Sequence, residues 1–332
     1  MKILYIHSNE NNNNQFYNDY MNDLLLHGLR NVYGEDVIDY PGCWYLYNDE
    51  IQKREYDEKK FWGKGFTIKN ILSKFDSIDR ENIDQKIKNK YFDLVIYGSI
   101  RRSDKFLEDV IKYDNKFIFI DGEDDNYIEK KYSNLGLYFK RELFKKNSKI
   151  LPINFAIPKD KILNEVDKNP NNLLAPLIPG KSNTYIYDDE DSYYEMYKKS
   201  IFALTYKKAG WDCLRHYEIL MNGCIPLFLD IQNCPEGTIT TLPKDKFIKI
   251  NNDFNKVFDF YNPFKIFKKK YLTLKKIFSF ISFKSKNEGM EYFLNNKEQI
   301  LNLKKELVDF TKKNLTTEEL AKYTLTNFEK YK

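Results

Sequence analysis

The stretch from Lys207 to Phe228 holds the densest set of residues able to bind an anionic ligand. Lys207, Lys208 and Arg215 supply positive charge, and Gly210 leaves the backbone open at a helix start, where unpaired N–H groups and the helix dipole attract phosphate. Only seven of the 54 basic residues are Arg, so a planar five-donor fork kept at position 215 matches phosphate or carboxylate better than the surrounding lysines do. At helical spacing Cys213, Leu214, Tyr217, Leu220 and Met221 form an apolar face, while Trp211, Arg215, Glu218 and Asn222 form a second face open to a ligand. Gly223 suits the left-handed position just past a helix end. The competing reading is an exposed i, i+3 ion pair between Arg215 and Glu218 on an ordinary amphipathic helix.

These side chains need a scaffold, and the apolar runs predict one. Ile3 to Ile6, Leu94 to Tyr97 and Phe117 to Ile120 are short, continuous and separated by helix-like stretches, the pattern of a parallel sheet buried on both faces. After a polar, apolar-poor interval at 158–172 the alternation resumes with Leu173 to Ile178, Ile201 to Tyr206 and Cys224 to Leu229. The expected class is α/β, with units at 1–160, 161–312 and a C-terminal helix at 313–332, where Thr316 and Glu319 stand at capping-box spacing. The intervals 48–60 and 70–90 read as exposed helix and loop.

A length of 332 residues favours two domains, and 42% hydrophobic with 16% aromatic content excludes a disordered chain. A net charge of +5 gives no strong nucleic-acid signature. Four cysteines without CxxC spacing and three histidines argue against a structural zinc, so no metal and no cofactor are expected. With no apolar run of membrane-spanning length, a soluble cytoplasmic protein with reduced thiols is expected.

The segment Arg215-His216-Tyr217-Glu218-Ile219-Leu220-Met221-Asn222-Gly223-Cys224-Ile225-Pro226 resembles the C-terminal nucleotide-sugar-binding segment of GT-B-fold glycosyltransferases, exostosin-like members included. Their pattern is Arg/Phe-x-Tyr-Glu-Ala-x-x-x-Gly-x-x-Pro, and Ile219 stands here in place of Ala. The resemblance implies two Rossmann-like domains facing a cleft, the donor nucleotide sugar held by the second and the acceptor by the first. It implies that Glu218 holds the ribose hydroxyls and that Arg215, with Lys207 or Lys208, holds the diphosphate. Gly210, Trp211 and His216 belong to the same donor-binding segment, and the loop carrying Tyr185, Tyr187 and Asp188 to Asp191 lies where the nucleotide base is framed. Many retaining GT-B enzymes carry a Glu where this chain has Gly210, which tilts the expectation toward an inverting, metal-independent transfer to a glycan, lipid-linked or other hydroxyl acceptor.

Inversion needs a general base. Asp121, Glu123, Asp124 and Asp125 directly follow a strand, and crowding is expected to raise their pKa values. His7, after the first strand, is the other candidate. Arg101 and Arg102 are expected to reach acceptor or donor phosphate. The acidic run also imitates the Asp-x-Asp metal motif of GT-A enzymes, a competing reading, and a silent nucleotide- or glycan-binding module is a third. The C-terminal helix is expected to cross back onto the first domain, as GT-B chains often do. Finally, the basic, aromatic stripe at 264–286 is expected to allow peripheral contact with an anionic membrane.

Overall fold

In the computed structural model the described residues are 1–8, 18–145, 147–254, 259–260, 281–282 and 286–331. The stripe proposed for membrane contact lies almost wholly outside them. Among the described residues no helix is long and apolar enough to cross a membrane.

Two parallel sheets carry the chain. Six strands, β1 (Ile3–Ile6), β2 (Val37–Tyr40), β3 (Leu94–Tyr97), β4 (Phe117–Asp121), β5 (Leu137–Lys140) and β6 (Ile150–Pro152), lie in the order β2-β1-β3-β4-β5-β6. Three more, β7 (Asn172–Leu174), β8 (Ser200–Thr205) and β9 (Ile225–Phe228), form a second sheet in chain order. All neighbours in both sheets run parallel. The chain order reverses between β1 and β3, and in open parallel sheets ligands settle beyond the carboxyl ends of the strands at such a point. Pro226 sits on the edge strand β9, where its missing N–H leaves no gap in a ladder between two neighbours.

The residues of β1 and β3 are all buried, as strands covered on both faces require. The intervals 48–60 and 70–90 are less exposed than their polarity predicts. Ile51, Leu72, Ile78, Ile83 and Ile87 all enter the core, and short helical turns replace long helices there.

The last helix, Thr317–Tyr331, lies against the first helix, Tyr20–Tyr33. Thr316 Oγ1 accepts from the Glu319 N–H at 3.3 Å, half of a capping box, whereas the Glu319 carboxylate turns to Lys322. His27 Nδ1 meets Thr317 Oγ1 at 2.8 Å, and Asn31 donates to Glu318 at 2.9 Å. At Gly28 a Cβ would stand 1.9 Å from the Thr317 carbonyl oxygen, so the two helices approach this closely only because position 28 has no side chain.

Gly28→Ala should therefore destabilise the protein by roughly 1–3 kcal/mol through overpacking, despite the ~1 kcal/mol that Ala gains over Gly in a helix. Urea denaturation measures the difference, and an Ala variant as stable as the parent would contradict this packing.

Candidate functional site

The helix expected from Trp211 begins at Leu214 and ends at Met221, because the preceding turn is held by other bonds. The Asp212 carboxylate accepts from the Phe155 N–H and the Tyr217 hydroxyl, both at 2.8 Å, and the Asp212 N–H donates to Glu142 Oε1 at 2.9 Å. Burial pushes the Asp212 carboxyl up to about 6. Gly210 lies before the helix rather than at its start. A Cβ there would stand 2.6 Å from Glu142 Oε1 and 2.9 Å from Asp124 Oδ1, so glycine admits two carboxylates of the first half of the chain. Gly223, with φ +66, does take the left-handed position past the helix end.

The face expected to meet a ligand is largely internal: Trp211, Glu218 and Asn222 are buried. His216 is a core residue rather than a donor contact. Its Nε2 lies 2.9 Å from the Trp211 carbonyl, which can only accept, so Nε2 carries the proton and Nδ1 accepts from Thr205 Oγ1 at 2.7 Å. Burial drives its pKa down to about 3.

Arg215 does not pair with Glu218. Its Nη2 donates to the Tyr185 hydroxyl at 3.2 Å, while buried Nε and Nη1 have no partner, and no carboxylate lies within ion-pair distance among the described residues. The N-cap residue Cys213 makes no side-chain hydrogen bond to the first turn beside Arg215, where the His216 N–H turns to the Cys213 carbonyl at 3.0 Å. Burial opposes the guanidinium charge, yet the surrounding Cys213, Tyr197, Tyr193 and Tyr185 hold its pKa above the ordinary arginine value. Lys207, half-buried, lies 5.9 Å over the Trp211 ring, and Lys208 is exposed. Neither lysine forms an ion pair among the described residues.

Glu218 is enclosed instead. Thr67 Oγ1 donates to Oε1 and the Tyr193 hydroxyl to Oε2, both at 2.7 Å. Burial raises its pKa, with Thr67 and Tyr193 opposing. Thr67 comes from a first-half loop in which Gly63, Lys64, Gly65 and Thr67 all have positive φ, from 52 to 76. A β-branched residue at φ +76 is strained, and contacts of the loop offset the cost: the Thr67 N–H donates to Glu190, its Oγ1 meets the Tyr194 hydroxyl at 2.6 Å, and the neighbouring Lys64 donates to the Tyr187 carbonyl at 2.8 Å. Nothing in the sequence marks Thr67 as a partner of Glu218.

The acidic run is neutralised rather than crowded. Asp121 is buried against Lys140 Nζ at 2.9 Å and the Tyr138 hydroxyl at 2.6 Å. Arg102 donates to Glu123 at 2.6 Å and lies 3.1 Å from Asp19; Arg101 donates to Asp125 at 2.7 Å; and Arg141 pairs with Asp124. At Glu123 and Asp125 the expected upward pKa shift is overturned. At Glu123, burial pushes upward but Arg102 and Arg101 outweigh it, and at Asp125 the Arg101 hydrogen bond dominates, so both lie below their ordinary values. Arg101 and Arg102 are likewise committed to this loop rather than offered to a phosphate. Asp124 remains about half exposed and faces the Gly210 turn.

His7 is fully buried, which leaves it no surface for an acceptor hydroxyl. Its Nε2 lies 2.8 Å from Asp23 Oδ1 and 3.3 Å from Cys43 Sγ, and the Tyr45 hydroxyl donates to Asp23 Oδ1 at 2.7 Å. Four free thiols and no disulfide are present, but this His-Asp-Cys cluster escapes any CxxC-type spacing rule.

No protein-family model, no curated protein and no solved structure matches the chain.

His216 yields a test of the buried helix face. Its pKa falls from 6.5 to about 3 on folding, so the unfolded chain binds the proton first and stability from this group, complete above pH 6.5, is lost as pH falls toward 3. Compared with its own value at pH 7, the parent should lose about 3 kcal/mol by about pH 4.5 that a His216→Gln variant does not lose. Parallel denaturation curves at both pH values measure this. Equal losses in the two proteins would place His216 at the surface.

Proposed function

We propose that the chain is a glycosyltransferase that moves a sugar from a nucleotide-diphosphate donor to an acceptor hydroxyl, its two parallel sheets forming the halves of a GT-B-like arrangement. The observation that carries this reading is Arg215: a mostly buried guanidinium with two unsatisfied donors beside a helix N-terminus without a side-chain cap. Leaving such donors unpaired is costly unless a ligand completes them, and a diphosphate supplies charge and planar oxygen pairs that suit the fork. Lys207 and Lys208 add charge on the preceding turn, and Tyr185 adds an exposed ring beside the guanidinium, 5.8 Å from its centroid. The resemblance of the 215–226 segment to donor-binding segments points the same way.

In this reading the ribose reaches Glu218 by replacing the Thr67 hydroxyl, which takes the loop at 63–67 out of its strained conformation. The acceptor oxygen attacks the anomeric carbon, the bond to the diphosphate oxygen breaks, and the acceptor proton passes to a carboxylate. Asp124 is the proposed base, as the exposed carboxylate of its run that meets the Gly210 turn: Arg141 pairs with its Oδ1 and orients it, and Oδ2 takes the proton. The competing GT-A reading is disfavoured by the ion pairs that hold all four carboxylates of the run, Asp121, Glu123, Asp124 and Asp125.

Arg215→Met should weaken nucleotide-diphosphate binding about 10- to 150-fold, the equivalent of roughly 1.5–3 kcal/mol for a charge-assisted hydrogen bond, without lowering the unliganded melting temperature. Calorimetric titration with a panel of nucleoside diphosphates tests it, and unchanged affinity would refute the donor site. Asp124→Asn should cut turnover about 10²–10⁴-fold with donor affinity kept. Near-normal turnover would remove Asp124 as base and reopen a retaining mechanism, and a parent that binds donor but never turns over would be a binding module.

A further inference from the structure

We infer that His7, Asp23 and Cys43 form a binding site for one divalent transition-metal ion of the zinc class, independent of the proposed donor site. The three ligand atoms converge from separate elements: His7 follows β1, Asp23 lies in the first turn of the helix Tyr20–Tyr33, and Cys43 follows β2. Their separations are 2.8 Å (Nε2 to Oδ1), 3.3 Å (Nε2 to Sγ) and 4.0 Å (Sγ to Oδ1). Zinc bonds of about 2.0–2.3 Å arranged tetrahedrally set ligand-to-ligand edges of roughly 3.3–3.7 Å, so shifts of about half an ångström seat the ion.

Charge favours the same assignment. Asp23 is wholly buried, and no Lys or Arg pairs with it among the described residues. A thiolate, a carboxylate and a neutral imidazole together balance a 2+ ion, which relieves the cost of burying that carboxylate. The mixed nitrogen, oxygen and sulfur set suits zinc better than magnesium or calcium, which prefer oxygen.

The surroundings hold these ligands in place as metal sites require. Asp23 Oδ1 accepts from Tyr45 and Oδ2 from the Asp19 N–H at 3.1 Å. The Cys43 N–H donates to Asp39 Oδ2 at 2.9 Å, and Arg80 fixes Asp39 in turn at 2.8 Å. The His7 backbone N–H donates to the Tyr40 carbonyl at 2.8 Å. An ion held by these three ligands would tie β1, β2 and the first helix together.

The test uses the full chain, stripped with a chelator and given one equivalent of Co2+ or Zn2+ before gel filtration. The expected result is one ion retained per chain, a near-ultraviolet thiolate-to-cobalt charge-transfer band in the Co2+ form, and a rise in melting temperature on adding Zn2+. Cys43→Ser should abolish the band, Asp23→Asn should weaken retention, and Cys234→Ser should leave both intact. Because the parent carries the decisive signal, a variant that fails to fold does not shield the proposal. No retained ion, or a Co2+ form of the parent without a thiolate band, overturns it; so does a band that survives in a folded Cys43→Ser protein.

Discussion

Arg141 is the constraint on which the arrangement of the two halves depends. It follows β5 with its side chain 3% exposed, and its fork joins two segments: Nε donates to the Gly122 carbonyl at 2.8 Å and Nη2 pairs with Asp124 in the acidic loop, while Nη1 donates to the Asp212 carbonyl. Its guanidinium also lies 4.8 Å over the Phe155 ring. Burial works against the charge, but Asp212, Asp124 and Glu142 more than compensate and hold the arginine ionised. Removing one partner from such a buried set leaves the others uncompensated, which costs far more than a surface pair.

The consequences spread outward from that junction. With the acidic loop and the 210–213 turn fixed against each other, Gly210 must lack a side chain, and the helix must start at Leu214. Arg101, Arg102, Lys140 and Arg141 are all spent on the acidic loop. Arg215 lies beyond this network with donors unfilled, which is why the proposed anion site falls there and not at the arginines after β3.

The parts legible in the sequence were those governed by local pattern. Strands β1, β3, β4, β8 and β9 are continuous apolar runs, and Gly223 announces the helix end. The strands β2 and β5 do not show as apolar runs, because Val37–Tyr40 contains Asp39 and Leu137–Lys140 ends in a lysine, and β6, Ile150–Pro152, is only three residues long. Both charges are buried, and each is paid for by a partner far along the chain, Arg80 for Asp39 and Asp121 for Lys140. The same blindness affected the site. Spacing brought Arg215 and Glu218 onto one helix, but only the tertiary structure sends Glu218 to Thr67 and Tyr193, and only it joins His7, Asp23 and Cys43.

Hydrogen–deuterium exchange of an Arg141→Met variant tests the junction most directly. The Phe155 and Asp212 amides donate to Asp212 Oδ2 and Glu142 Oε1, bonds that the guanidinium keeps in register. Faster exchange is expected in peptides covering 153–155 and 211–213, with β1 and β3 as protected as in the parent. Unchanged protection at 153–155 and 211–213 in a folded variant would contradict this dependence on Arg141.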